Sequence, residues 1–208
     1  GGGGHAAEIL RRAGAAGRLL GIDRDPEALR RAEARLRELP GTVVCVHGNH
    51  GDFGALADAH GFSELDGVLI DTGVSSDQID TAARGFSFQQ DGPLDMRMDP
   101  TRGETAAELV ARLDAVQLAE VFRTLGEEPQ ARRVAAAIVR AREAAPIRTT
   151  ARLAEIVGRA LGGRRERGRH PATRVFQALR MAVNRELEAL SGALDAALLR
   201  LRPGGRLA

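Results

Sequence analysis

The sequence predicts an α/β protein on a parallel-type sheet, with a mainly helical segment inserted ahead of its last strand. Three observations carry that prediction. Helix and strand patterns alternate from Gly1 to Asp71; Asp23, His47–His50 and Asp71 all fall at the ends of the predicted strands; and from about Asp80 the alternation gives way to a long loop and successive helices. Strand–helix alternation implies parallel pairing with helices on both faces, and ligands then sit at the carboxyl ends of the strands.

Taken in order, Gly1-Gly2-Gly3-Gly4-His5 opens into a helical pattern that runs to Ala15 and sets Ile9, Leu10 and Ala13 on one side. Arg18–Ile22 reads as a strand closing on Asp23. Asp25-Pro26 supplies a cap and a first helical residue for a helix to about Leu39, which Pro40-Gly41 ends. Thr42–Val46 is the second strand, Phe53–Ala59 a short helix, and Gly67–Ile70 a third strand ending at Asp71. Residues 84–103 mix Gly, Pro, Phe, Met and charge without a period, so they predict a long ordered loop. Helical patterns follow at about 104–112, 115–125, 127–144 and 150–161, then a basic loop at 162–170. From Pro171 one long helix is expected to carry Val175, Leu179, Val183, Leu187 and Leu190, before Pro203-Gly204-Gly205 turns into a strand at Arg206-Leu207-Ala208. The expected organisation is a first part of the sheet domain at 1–81, a helical insertion at 82–174 and a return to the sheet domain at 175–208. No strand precedes the glycines, so the sequence reads as a fragment.

With 208 residues, 43% of them hydrophobic, the chain can bury a sizeable core in one domain with an insertion. All 30 Lys-plus-Arg residues are arginine, a bias that codon usage explains as well as phosphate binding does. The net charge is only +2, but residues 82–174 hold 17 Arg against 12 acidic side chains. A basic middle on an acidic remainder suits an anionic partner such as RNA, and suits a merely solvated face equally. The single cysteine, Cys45, lies in an apolar run, which leaves no disulfide framework and no cysteine metal cluster. No run is long and apolar enough to span a membrane. A cytoplasmic enzyme is the default expectation.

Glycines admit close backbone approach, a helix N-terminus offers free N–H groups, and an acid at the next strand end accepts ribose hydroxyls. Gly4 and Asp23 stand 19 positions apart, near the spacing that role requires. On these residues alone both NAD and S-adenosylmethionine remain open, since each presents a ribose diol.

The stretch from Asp71-Thr72-Gly73-Val74-Ser75-Ser76-Asp77-Gln78 through Arg84-Gly85-Phe86-Ser87-Phe88 to Asp91-Gly92-Pro93-Leu94-Asp95-Met96-Arg97-Met98-Asp99 narrows the choice. Together with Gly126-Glu127-Glu128, Pro146-Ile147-Arg148-Thr149-Thr150 and His170-Pro171-Ala172-Thr173-Arg174, it strongly resembles the bacterial small-subunit ribosomal RNA cytosine-N4 methyltransferases, the RsmH or MraW family. The resemblance runs in order through the whole chain. It implies a Rossmann-like class I S-adenosylmethionine-dependent methyltransferase with a helical insertion that helps to recognise RNA. By motif, Gly3, Gly4 and His5 line the methionine end of the cofactor, Asp23 takes the ribose hydroxyls, Asp71 lies near the reacting centre and Gln78 completes the pocket. Where the family places an aromatic residue on adenine, this chain has His50, with Phe53 as the alternative if the loop is longer; Thr72 replaces a usual leucine.

Asp71 is the candidate acceptor of the amine proton, against a purely cofactor-binding role. The amino-methyltransferase motif N/D-P-P-Y/F is absent here, and Cys45 is badly placed for the cysteine attack that carbon-5 methylation requires. Asp95, Arg97, Arg164, Arg165, Arg167, His170 and Arg174 are candidate RNA contacts, each set against a structural reading: loop buttress, solvated charge or helix cap. Phe86 and Phe88 could stack on bases or simply pack in the core. The competing functions are a nucleotide-dependent oxidoreductase and a non-catalytic RNA-binding or ribosome-assembly module.

Overall fold

A computed structural model describes residues 1–163 and 170–208. The chain divides into two units, Gly1–Gly73 with Glu186–Ala208, and Val74–Arg185.

In the first unit α1 (Gly4–Ala13) starts behind Gly3, whose φ of 76° is left-handed. A Cβ on Gly3 would stand 3.1 Å from both Cα and Cβ of Ala32, so the tight entry to the helix requires glycine. β1 (Arg18–Asp23) leads to α2 (Pro26–Leu36). The Asp25 carboxylate accepts from the Glu27 N–H at 3.0 Å, and Pro26 occupies a position where no amide donor is needed. β2 (Thr42–His47) pairs with β1 in parallel, from Arg18 opposite Thr42 to Asp23 opposite His47. Ala7 and Leu10 of α1 and Ala32 and Leu36 of α2 are buried together, with Leu19, Val43 and Cys45 of the strands packed against them. A 3-10 turn at His50–Asp52 enters α3 (Phe53–Ala59), and β3 (Leu65–Val68) follows.

The second unit contains α4 (Ser76–Asp80), a 3-10 turn at Ala82–Arg84, α5 (Ala106–Arg112), α6 (Ala115–Thr124), α7 (Ala131–Ala144), α8 (Thr150–Ala160) and α9 (Thr173–Asn184). Capping boxes start three of these helices: Ser75 with Gln78, Thr105 with Glu108 and Asp114 with Gln117. Leu118, Phe122, Val134, Ile138, Leu153, Val157, Val175 and Leu179 form the centre of its core. The ordered loop between the 3-10 turn and α5 is tied to the start of α8: Leu94 N–H donates to the Arg148 carbonyl at 2.9 Å and Thr150 N–H to the Gly92 carbonyl at 3.0 Å. The Arg142 guanidinium of α7 donates to the Val110 carbonyl and to the Leu113 carbonyl, satisfying acceptors at the end of α5.

α10 (Glu186–Arg200) and β4 (Leu201–Leu207) belong to the first unit again. β4 pairs with β3 in parallel, with Leu65 opposite Leu201 and Val68 opposite Leu207. The register shifts between Leu65 and Gly67, facing the segment where Pro203 lacks a donor and Gly204 has a φ of 82°.

Three sequence expectations are corrected. Among the described residues four strands form two parallel pairs, β1–β2 and β3–β4, and no described backbone hydrogen bond joins β1 to β3, in place of the expected single sheet. β3 lies two residues earlier than expected, although the Ile70 N–H donation to the Ala208 carbonyl at 2.8 Å carries the pairing on towards Asp71. The expected long helix from Pro171 breaks at Arg185, whose φ of 49° is left-handed. The preceding side chain, Asn184, is drawn onto the loop at 96–98, and Leu187, placed by periodicity on the buried stripe, is 51% exposed.

Candidate active site

Parallel pairing in register brings the ends of β1 and β2 level, with Asp23 at one end and the turn that leads to His50 after the other. Asp23 closes β1 opposite His47. Its Oδ1 accepts from the Asp25 N–H at 2.8 Å, and its Oδ2 accepts from the Gly1 amino group. Asp23 is therefore an acceptor with one oxygen committed to the turn and the other meeting the glycine segment. Arg24 donates to Asn49 Oδ1 at 2.5 Å, and the Gly48 N–H donates to the Asp23 carbonyl at 3.0 Å, so the turns after β1 and β2 are cross-linked. Sequence reasoning passed over Arg24 and Asn49; the only signal was their place beside the two strand ends.

His50 follows directly. Its Nε2 is buried and has no hydrogen-bond partner in the protein. Burial first, then the positive charge of Arg24, push the imidazole below its ordinary value, with Asp23 opposing. A neutral ring with an unmet polar atom is what a cofactor-facing position offers. Phe53, the alternative adenine partner, begins α3 and is half-buried. On the other side of Gly3 and Gly4, His5 Nδ1 lies 3.3 Å from Asp71 Oδ2, and both side chains are about two-thirds exposed, at 68% and 69%. The structure thus pairs His5 with Asp71. The left-handed Gly3 turn, the strand-end carboxylate of Asp23 and the unsatisfied His50 nitrogen are chemically compatible with a nucleoside-bearing cofactor. Cys45 is half-buried mid-strand; burial first, then the charge of Glu33, push its thiol up, which suits packing rather than nucleophilic attack.

In the helical unit, Gln78 is buried and its Oε1 accepts from the Ser75 N–H at 2.9 Å, closing the capping box of α4. Asp95 and Arg97 form a two-point ion pair at 2.7 and 2.8 Å. Burial acts to raise the Asp95 carboxyl, but the side-chain and backbone bonds from Arg97, aided by the charges of Arg97 and Arg84, hold it below the usual range. Between them Met96 is fully buried at a left-handed φ of 62°, an uncommon state for a side chain of its size. Two neighbours hold that conformation. Asn184 Nδ2 donates to the Met96 carbonyl at 2.7 Å and its Oδ1 accepts from the Met98 N–H at 2.7 Å; Arg84 donates to the carbonyls of Arg97 at 3.1 Å and Met98 at 2.9 Å. Neither was given this role from the sequence: Asn184 stood in a helix expected to be continuous and Arg84 in a loop without a period, and neither pattern names a distant partner.

His170 Nδ1 accepts from the Ala172 N–H at 3.1 Å, and its ring lies 4.5 Å from that of Phe88, which meets Phe176 edge-on. Phe86 and Phe88 both pack against the helical core. Arg174 sits in the first turn of α9, half-buried. Arg164, Arg165 and Arg167 lie outside the described residues. No described helix is long and apolar enough to cross a membrane, and no described cluster of three or more His, Cys, Asp or Glu side chains is suited to a metal ion.

Parallel strand pairs alternating with helices define an α/β protein. More particularly, residues 1–208 match the MraW methylase family, and the chain belongs to that family. Among its relatives are proteins named ribosomal RNA small subunit methyltransferase H. The one from Thermomicrobium roseum is 54% identical over 207 residues, covering 100% of this chain and 63% of the relative. Those from Pelobacter propionicus and Symbiobacterium thermophilum are each 53% identical, covering 99% and 100% of this chain and 66% of each relative. The chain therefore spans a little under two thirds of the length of these relatives.

Proposed function

We propose that this chain is the larger part of an S-adenosylmethionine-dependent methyltransferase that acts on the exocyclic N4 amine of a cytidine in small-subunit ribosomal RNA, a cytoplasmic substrate. Family membership supports the activity class, and the names of the relatives support the substrate. What supports the reading is that Asp23 ends β1 opposite His47, that His50 follows in the next turn with an unmet ring nitrogen, and that His5, just after the Gly3 turn, meets Asp71. In this reading Asp23 accepts the ribose hydroxyls, Gly3 and Gly4 admit the cofactor close to the backbone, and His50 lies against the adenine. S-adenosylmethionine, when bound, supplies a methyl group activated by a sulfonium.

The amine of cytosine is a poor nucleophile, because its lone pair is delocalised into the ring. The enzyme's contribution is to hold the amine in line with the methyl and to accept its proton. Asp71, exposed and beside His5, is the acceptor. The helical unit, read as an insertion in a Rossmann-like methyltransferase domain, serves RNA recognition through Asp95, Arg97, His170 and Arg174, joined by Arg164, Arg165 and Arg167. Gln78 is assigned to the cofactor by its motif alone; its side chain closes the capping box of α4.

The deciding experiment is mass spectrometry of small-subunit RNA from cells deleted for the full-length gene and complemented with it. N4-methylcytidine should vanish in the deletion and return with the gene; its persistence in the deletion strain overturns the reading. Calorimetry with NAD in place of S-adenosylmethionine should give no binding.

A further inference from the structure

α7 and α8 pack side by side and leave between them an open groove of about 470 Å³. Arg133 and Arg140 of α7 and Arg152 and Arg159 of α8 line it, over a floor that includes Ala137 and Ile156. The two helices carry the same pattern on the groove face: arginine, an apolar residue four positions on, and a second arginine three positions after that. Seven positions are two helical turns, so the arginines on each helix are separated by about 10 Å along the axis. The result is a shallow channel with an apolar floor and a guanidinium pair on each wall.

The charge of that channel is poorly compensated. Glu155 is shared between Arg152 and Arg159. Arg133 donates to the neutral Gln130 amide at 3.2 Å, and no carboxylate pairs with Arg140 among the described residues. All four arginines are exposed. Four guanidinium groups against one carboxylate leave an excess of three positive charges in the groove. Elsewhere in this unit the exposed Arg112 is matched by Glu104 and Arg123 by Glu120.

We propose that the α7–α8 groove is a binding channel for the phosphodiester backbone of RNA, made of residues other than those of the Asp95–Arg97 loop. The inference rests on the methyltransferase reading for the identity of the RNA. Guanidinium forks take phosphate oxygens two at a time, while small floor residues let the sugar chain lie close. Contacts of this kind position an RNA without reading its sequence, and they make affinity fall steeply with salt.

The test uses the full-length protein with Arg133→Ala, Arg140→Ala and their combination, none of which removes a buried group or a described ion pair. Affinity for small-subunit RNA is measured across a salt series, alongside S-adenosylmethionine affinity and turnover at saturating RNA. Each substitution should lower the slope of log affinity against log salt by about one and weaken binding several-fold. Cofactor affinity and saturated turnover should stay as in the wild type, and Arg140→Lys should retain the slope. Unchanged slopes in an active enzyme overturn the groove and leave the activity standing. Unchanged binding to bare RNA with loss of binding to ribosomal protein also overturns it, in favour of an acidic protein partner. A wild-type enzyme that methylates no small-subunit RNA overturns the functional reading itself, a failure that the slopes do not produce.

Discussion

Asn184 holds three backbone groups with one amide: the Met96 and Arg180 carbonyls and the Met98 N–H, at 2.7, 2.8 and 2.7 Å. Asn184→Ala leaves the first and last of these buried and unpaired, so it should cost about 2–4 kcal/mol in chemical denaturation. It should also release Met96 from its left-handed conformation and loosen the Asp95–Arg97 pair. His50 makes a different prediction. Its folded-state pKa lies below the unfolded value of 6.5, so the unfolded chain binds more protons as pH falls through that value. Stability from this group is present in full above 6.5 and is lost on acidification; between about pH 7 and pH 5 the wild type should lose more stability than His50→Phe, measured by urea midpoints. Equal losses would place the buried imidazole outside the pH response. For cofactor affinity, Asp23→Ala removes a charge-assisted acceptor worth about 1.5–3 kcal/mol and should raise the S-adenosylmethionine dissociation constant by tenfold or more in calorimetry. Asp23 and the glycine turn were legible in the sequence because strand ends and glycines announce themselves locally. The clamp on Met96 was not, since Asn184 lies 88 positions away from it.

At the level of elements, the sequence was most legible where a helix is started by its own residues. Asp25-Pro26 predicted α2, and helical patterns at 104–112 and 115–125 predicted α5 and α6; the capping box that starts α4 was not read from the sequence. Ends set by tertiary contact were hidden, above all the break between α9 and α10. The use of α10 was equally obscure, because its face against the first unit is made of alanines. Ala189, Ala193 and Ala197 are almost fully buried, and the Gly51 backbone comes so close that a Cβ there would stand 3.0 Å from the Ala189 Cα. Periodicity favoured Leu187 and Leu190 instead, and Leu187 is exposed. Small residues here allow α10 to press on the turn that carries His50. Ala193→Leu should therefore overpack the contact, destabilise the protein by about 1–3 kcal/mol and weaken cofactor binding through displacement of His50. Retained stability together with retained cofactor affinity would separate α10 from the site.

The whole molecule is two units of unlike construction, and they should respond differently to being separated. Val74–Arg185 is one continuous segment whose core is drawn from helices close in sequence, with α6 packed on α7 and on α9 and α7 on α8. Its helices carry their own caps, and Arg142 ties α7 to the end of α5. Gly1–Gly73 instead depends on a distant segment: β3 finds its strand partner in β4, and the His50 turn and α3 are covered by α10. Without Glu186–Ala208, β3 keeps exposed backbone donors and acceptors along its length, and Gly51 loses the surface it is shaped for. Residues 74–185 expressed alone should therefore give a helical circular-dichroism spectrum and a cooperative thermal transition. Residues 1–73 alone should show neither a cooperative transition nor slow amide exchange in β3, and should aggregate through the open strand edge. Addition of a peptide spanning residues 186–208 should restore protection to β3 and to the 50–59 segment. If residues 1–73 fold unaided, the α/β unit is stabilised by the α1–α2 core on β1 and β2, and α10 and β4 are accessory to it.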